Sequence, residues 1–128
     1  FDRDAKSRDR NGGTALMQAN CMKVFDMLCD MGANINATDV DGNSILHHIV
    51  RNRNIEMAKK IVKKNIDIDV KGWEGETPLM WACMYDDLEM VSLLIENGAD
   101  VNAKNRNSET VIFKALLTLL LCFLRKLS

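Results

Sequence analysis

The residues of this 128-residue chain that could do chemistry are two adjacent histidines, a short acidic run and four cysteines. His47-His48 would make a metal pair only if both rings faced one ion. Neighbours on a helix point about 100° apart, so His47 reads as a structural, hydrogen-bonding histidine. Asp86-Asp87 with Glu89 could serve acid–base catalysis, yet no nucleophile with a base at useful spacing and no glycine-rich phosphate loop accompanies them. They suit the start of a helix, where negative charge favours the exposed amides. Asp39-Val40-Asp41-Gly42 opens like a calcium loop, but the further ligands and the closing glutamate are missing, and a turn explains it. Cys21, Cys29, Cys83 and Cys122 lack the close pairing of a zinc site. They fall at apolar helix positions, where free cysteine acts as a small hydrophobe. Buried, reduced thiols imply an intracellular setting, cytoplasm or nucleus. The expectation is therefore no catalytic residue, no metal and no cofactor.

Composition agrees with a folded, non-catalytic module. The apolar fraction is 47% and the charged fraction 27%, enough to bury a core. A net charge of −1 gives nucleic acid no electrostatic footprint. Lys59-Lys60 with Lys63-Lys64 form a basic stripe three or four residues apart. It reads as a solvated helix face, with an acidic partner or a nuclear import signal as the alternative. The chain opens at Phe1 without an apolar signal region and already inside a pattern, so it is expected to be a piece of a longer protein.

The elements that position these residues recur. Thr14-Ala15-Leu16, Ser44-Ile45-Leu46, Thr77-Pro78-Leu79 and Thr110-Val111-Ile112 return on a nearly fixed beat along the chain. Gly32-Ala33-Asn34-Ile35-Asn36-Ala37 and Gly98-Ala99-Asp100-Val101-Asn102-Ala103 are near copies, with Asn65-Ile66-Asp67-Ile68-Asp69 a worn one at the same phase. A period near 33 means an array of small units rather than one globular core. Each unit opens on a turn (Asn11-Gly12-Gly13, Asp41-Gly42-Asn43, Glu74-Gly75-Glu76). A Thr or Ser then caps a helix by accepting from its first free amides. Pro78 follows Thr77 where a first-turn proline loses no hydrogen bond. The spacing predicts a first helix over Leu79–Met84 and a second over Leu88–Ile95, whose apolar residues 88, 91, 94 and 95 share a face. Gly98 closes it in the left-handed conformation. Neither helix is stable alone, so each must bury its apolar face on the next unit, through residues such as Leu79 and Leu94.

These residues resemble the ankyrin repeat. The match is strongest over residues 72–103, with Gly75, Thr77-Pro78-Leu79, Ala82, Val91, Leu93-Leu94 and Gly98–Ala103, and continues over 39–69 with Asp39, Gly42, Leu46-His47, Ile61 and Val62. The resemblance implies an all-α solenoid of stacked helix pairs with β-hairpin fingers. Residues 1–13 would end a preceding finger. Repeats would span 14–43 (three residues short between Ala19 and Cys21), 44–76 and 77–109, with a degenerate or truncated unit at 110–128. The resemblance also gives His47 the task of tying one turn to its neighbour, a slot held by Met17, Met80 and Phe113 in the other units. Three substitutions depart from the family pattern: Asn65 for the capping glycine, Ser108 for the turn glycine, and Gly72 for the aspartate at the finger base.

By the same resemblance, finger tips and inner helix ends line a concave face that binds another protein. Those positions are Val40, Asp41, Asn43, Arg51, Asn52, Trp73, Glu74, Glu76, Met84, Tyr85, Arg106, Asn107 and Glu109. Trp73, Tyr85 and Met84 among acids suit a contact hot spot; the alternative for Trp73 is folding back onto its own finger. Trp81, inside the first helix, reads as a packing residue. The function implied is protein recognition without catalysis. A regulatory or targeting module of a larger enzyme or effector is the alternative. Membrane association through the apolar C-terminal stretch is a third reading.

That stretch, Ala115–Leu124, is too short for a membrane span. A helix is expected over Val111–Leu124, capped by Thr110 and packed on the third unit through Ile112, Ala115 and Leu116. Leu120, Phe123 and Leu124 would stay exposed and favour self-association.

Overall fold

Ser44, Asn54, Thr77, Asp87 and Thr110 stand where the chain enters a helix, and they set the architecture. The computed structural model describes residues 22–64 and 66–127. The described helices are α1 (Met22–Asp30), α2 (Ile45–Arg51), α3 (Ile55–Ile61), α4 (Pro78–Met84), α5 (Leu88–Glu96) and α6 (Val111–Leu127), with a 3₁₀ turn at Trp73–Gly75. The side-chain oxygen of Thr77 accepts from the Met80 N–H, Asn54 from Met57 and Asp87 from Met90. Thr110 accepts from Phe113 at 3.3 Å. Pro78 occupies the first helical position. The helices follow the expected ones, beginning one residue earlier in α4 and ending one later in α5 and three later in α6.

Helices α2 and α3 pair, as do α4 and α5. The pairs then stack: α2 on α4, α3 on α5, and α4 on α6. Leu46, Ile61, Leu79, Met80, Met90 and Leu94 are fully buried between them, and Phe25 and Leu28 of α1 join the same core. The chain is the all-α stack its period implies. At the end of α5, Gly98 takes φ +92°, and the Ala99 N–H reaches back to the Leu94 carbonyl at 3.0 Å. That left-handed cap is the one the sequence predicts. Its worn counterpart Asn65, and the three-residue shortening between Ala19 and Cys21, lie outside the described residues.

Among the described residues the fingers are tight turns without a strand ladder. Thr38 and Ser44 form an isolated antiparallel bridge. One closing bond repeats once per unit: Asp39 N–H to Asn43 O (2.9 Å), Gly72 N–H to Glu76 O (2.9 Å) and Asn105 N–H to Glu109 O (3.0 Å). Asp39 Oδ1 also accepts from the Asp41 and Asn43 amides, and Asn105 Oδ1 from Asn107 and Glu109. Asp39 is thus a turn-former, which accounts for the calcium-like string. Gly72 cannot do this, and its finger is held from the previous unit: Asn43 Oδ1 accepts from the Trp73 N–H at 2.9 Å. A Cβ on residue 72 would collide with that same Asn43 oxygen. The missing aspartate and the neighbouring asparagine are one exchange.

The units are also stitched at the finger bases. Asn36 Oδ1 accepts from the Asp67 N–H (3.3 Å), and Asp69 Oδ1 from the Asp100 N–H (2.9 Å). In each case the bond runs from one unit to the next.

Helix α6 departs from expectation in how it packs. Ile112 is 58% exposed and Leu116 is exposed as well, whereas Val111 is buried. Leu46 and Leu79, two periods and one period earlier, are completely buried. Those leucines sit between their own second helix and the following unit. Among the described residues no second helix folds back beside α6, so Ile112 lacks both covers. Lys114 secures the helix instead, its ammonium paired with the Glu76 carboxylate. Leu120 and Leu124 are exposed as expected; the side chains of Ala115 and Phe123 lie outside the described set.

Candidate functional site

The buried tie between units is built on His47. The Ser44 N–H donates to its Nδ1 (3.0 Å), the Ser44 hydroxyl lies 2.9 Å from the same nitrogen, and Nε2 lies 2.8 Å from the Glu76 carbonyl oxygen. A backbone N–H pointing at Nδ1 fixes the neutral tautomer, with Nε2–H donating to Glu76. Trp81 packs edge-on to the ring at 4.9 Å, the packing role its sequence position suggests. Burial holds the His47 pKa down at about 4. His48 does different work: it pairs with Asp39 Oδ2 at 3.0 Å, and its Nδ1 lies 2.9 Å from the Arg51 guanidinium. The two rings part as adjacent helical residues must.

Above this frame, the surface residues line up in rows. Val40, Trp73 and Arg106 occupy one finger position in successive units, and all three are exposed. Trp73 is 56% exposed. Asp41, Glu74 and Asn107 form the next row. Glu74 has φ +59°; its carbonyl accepts from the Arg106 N–H at 2.9 Å, and its carboxylate lies 3.6 Å from the Arg106 guanidinium. Adjacent tips are thereby bonded to each other. At the inner helix ends Arg51 and Met84 are equivalent and exposed, followed by Asn52 and Tyr85. Tyr85 is half-buried, and its carbonyl accepts from the Arg53 guanidinium at 2.6 Å.

The third row corrects the sequence reading. Asn43 and Glu76 are buried and committed inside the stack: Asn43 to Trp73, Glu76 to Lys114 and, at 3.5 Å, to Asn105. Glu109 is half-buried and accepts from Asn105 Nδ2 at 2.9 Å. One residue before the helix cap, a side chain points between units rather than outward. Arg53, Asn105 and Lys114 are the contributors that sequence reasoning missed. Asn105 carried a signal, since it stands two full periods after Asp39.

The other candidate chemistry dissolves into structure. Asp86 takes φ +58° in the turn, Asp87 caps α5, and Glu89 lies 3.6 Å from Lys59. Cys29 and Cys83 are half-buried free thiols whose pKa values are raised, first of all by burial. Cys21 and the side chain of Cys122 lie outside the described residues. Among the described residues no three His, Cys, Asp or Glu side chains converge on a metal position, and no helix is long and apolar enough to cross a membrane.

A family profile for ankyrin repeats matches residues 20–105 in three copies. The chain belongs to the ankyrin-repeat family. Ankyrin repeats generally mediate protein–protein interaction, and the repeat itself is a non-catalytic interaction fold. The chain is 33% identical over 105 residues to potassium channel AKT2/3 of Arabidopsis thaliana, covering 80% of this chain and 13% of the channel. It is 30% identical over 116 residues to the human B-cell lymphoma 3 protein, covering 88% and 26%. To the phosphocholine transferase AnkX of Legionella pneumophila it is 32% identical over 98 residues, covering 73% and 10%. The chain thus spans about a quarter or less of each of these relatives. A channel, a transferase and a lymphoma protein share this ankyrin stack, so the fold names the mode of action and not the target.

Proposed function

We propose that the chain recognises another protein through its finger tips and inner helix ends and performs no chemistry itself. The observation that carries this is the row Val40–Trp73–Arg106, three exposed side chains at one position of successive, hydrogen-bonded fingers. Trp73, Met84 and Tyr85 supply an apolar centre of the kind that dominates contact energy. Asp41, Arg51, Asn52, Glu74 and Asn107 surround it with mixed charge and polarity. This suits a partner with an apolar anchor and a charged rim. The repeat boundaries that go with this reading are 14–43, 44–76 and 77–109, with a degenerate unit at 110–128. The half-buried thiols suit a reducing, intracellular compartment. The lengths of the relatives favour a second, compatible reading in which this stack targets or regulates a larger protein.

The test is affinity capture with the wild-type chain, Trp73→Ala and the back-face control Lys60→Ala. The reading expects a captured protein to be lost with Trp73→Ala at an unchanged melting temperature and retained with Lys60→Ala. Equal capture by Trp73→Ala would contradict it.

A further inference from the structure

Among the described residues no helix covers the outer face of α5. Helix α3 is covered on the equivalent face by α5, leaving Ala58 fully buried and Ile55 and Val62 half-covered. The matching residues of α5 are Leu88, Val91 and Ile95. Leu88 is 73% exposed, and Ile95 is exposed too.

The chain carries a segment that fits this slot. Adding one period to the buried or apolar residues of α5, Leu88, Met90, Val91 and Leu94, gives Leu121, Phe123, Leu124 and Leu127. The C-terminal half of α6 therefore keeps the apolar pattern of a second helix. What it has lost is the turn that would fold it back. In the two complete pairs the turn is made by a left-handed residue, Arg53 (φ +56°) or Asp86 (φ +58°), followed by a capping Asn54 or Asp87. One period on, those places hold Leu119 and Leu120. Leucine is a strong helix former and cannot cap, so α6 runs straight to Leu127. Its own slot is beyond its reach.

We propose that a second copy of this chain fills the slot: the C-terminal half of α6 from each molecule lies on α5 of the other. This is an exchange of equivalent elements, which costs little because the contact is one the unit already encodes. Glu96 on α5 is exposed, and Arg125 and Lys126 on the incoming helix are of opposite sign. The contact is made twice per dimer, as a two-fold exchange requires.

Sedimentation of the whole chain at tens of micromolar tests this. The expected result is twice the chain mass for the wild type and monomers for Leu88→Glu and for Leu124→Glu. An equimolar mixture of those two variants should regain a dimer, since one of its two slots is intact on both sides. Leu119→Gly/Leu120→Asp, which restores a turn, should give a monomer with undiminished helix. A monomeric wild type would overturn the proposal. So would a dimer that survives Leu88→Glu, which would place the contact on α6 alone. Transfer of the wild type to neutral phosphatidylcholine vesicles at the same concentration would overturn it in favour of a lipid surface.

Discussion

His47 donates from Nε2 to the carbonyl oxygen of Glu76, 2.8 Å away. The bond joins α2 to the finger that leads into α4. It requires a neutral ring, because Nδ1 is occupied by the Ser44 N–H. Its pKa in the fold, about 4, lies below the ordinary value near 6.5. As pH falls through 6.5 the unfolded chain takes up a proton that the folded chain refuses, so stability is lost between pH 6.5 and 4. The loss reaches on the order of 3 kcal/mol at the lower end. Denaturant midpoints across this range should fall for the wild type more steeply than for His47→Gln. Parallel curves would mean that His47 is not buried neutral.

Gly72→Ala should destabilise by about 1–3 kcal/mol, because the added Cβ displaces the Asn43 oxygen from the Trp73 N–H and leaves buried polar groups unpaired. The same bond is removed by Asn43→Ala, so the double variant should lose less than the two single losses added together. Strict additivity in thermal melts would show that the two residues are independent.

Ser108 holds φ +63° at the turn place taken by Gly42 and Gly75. Left-handed backbone costs a side-chain-bearing residue about 1–2 kcal/mol, partly offset by the greater unfolded-state freedom of glycine. Ser108→Gly is therefore expected to raise stability by about 0.5–1 kcal/mol, and Ser108→Val to lower it. A lower melting temperature for the glycine variant would contradict this account of the third finger.

Leu94→Ala and Leu79→Ala, at fully buried positions, should each cost about 2–5 kcal/mol. Ile112→Ala, in the same slot as Leu79 but uncovered, should change stability by no more than about 0.5 kcal/mol. If all three moved the denaturant midpoint alike, burial between units would not be what holds the stack.

These contrasts show where the sequence was legible. The repeat period located the helices and their caps, because each depends on residues close in sequence, and the resemblance to the ankyrin repeat supplied the role of His47. Asn43 and Glu76 read as surface residues in the sequence and are not. Their burial depends on Trp73, Lys114 and Asn105 further along the stack, a relation between copies that differs at every boundary. Ile112 and Leu116 mislead for the converse reason: the register is right, but the covering second helix is missing once Leu119 and Leu120 replace the turn. Trp73 shows a third case. Its phase marks it as a finger tip, but only the fold shows that more than half of its surface is exposed.

Hydrogen exchange on the chain, alone and bound to a captured partner, tests the central claim most directly. The account predicts added protection at the finger tips, residues 40–41, 73–75 and 106–107, and at residues 84–85, with no change over 56–64 on the opposite helices. Protection confined to residues 56–64, with the finger tips unaltered, would contradict it.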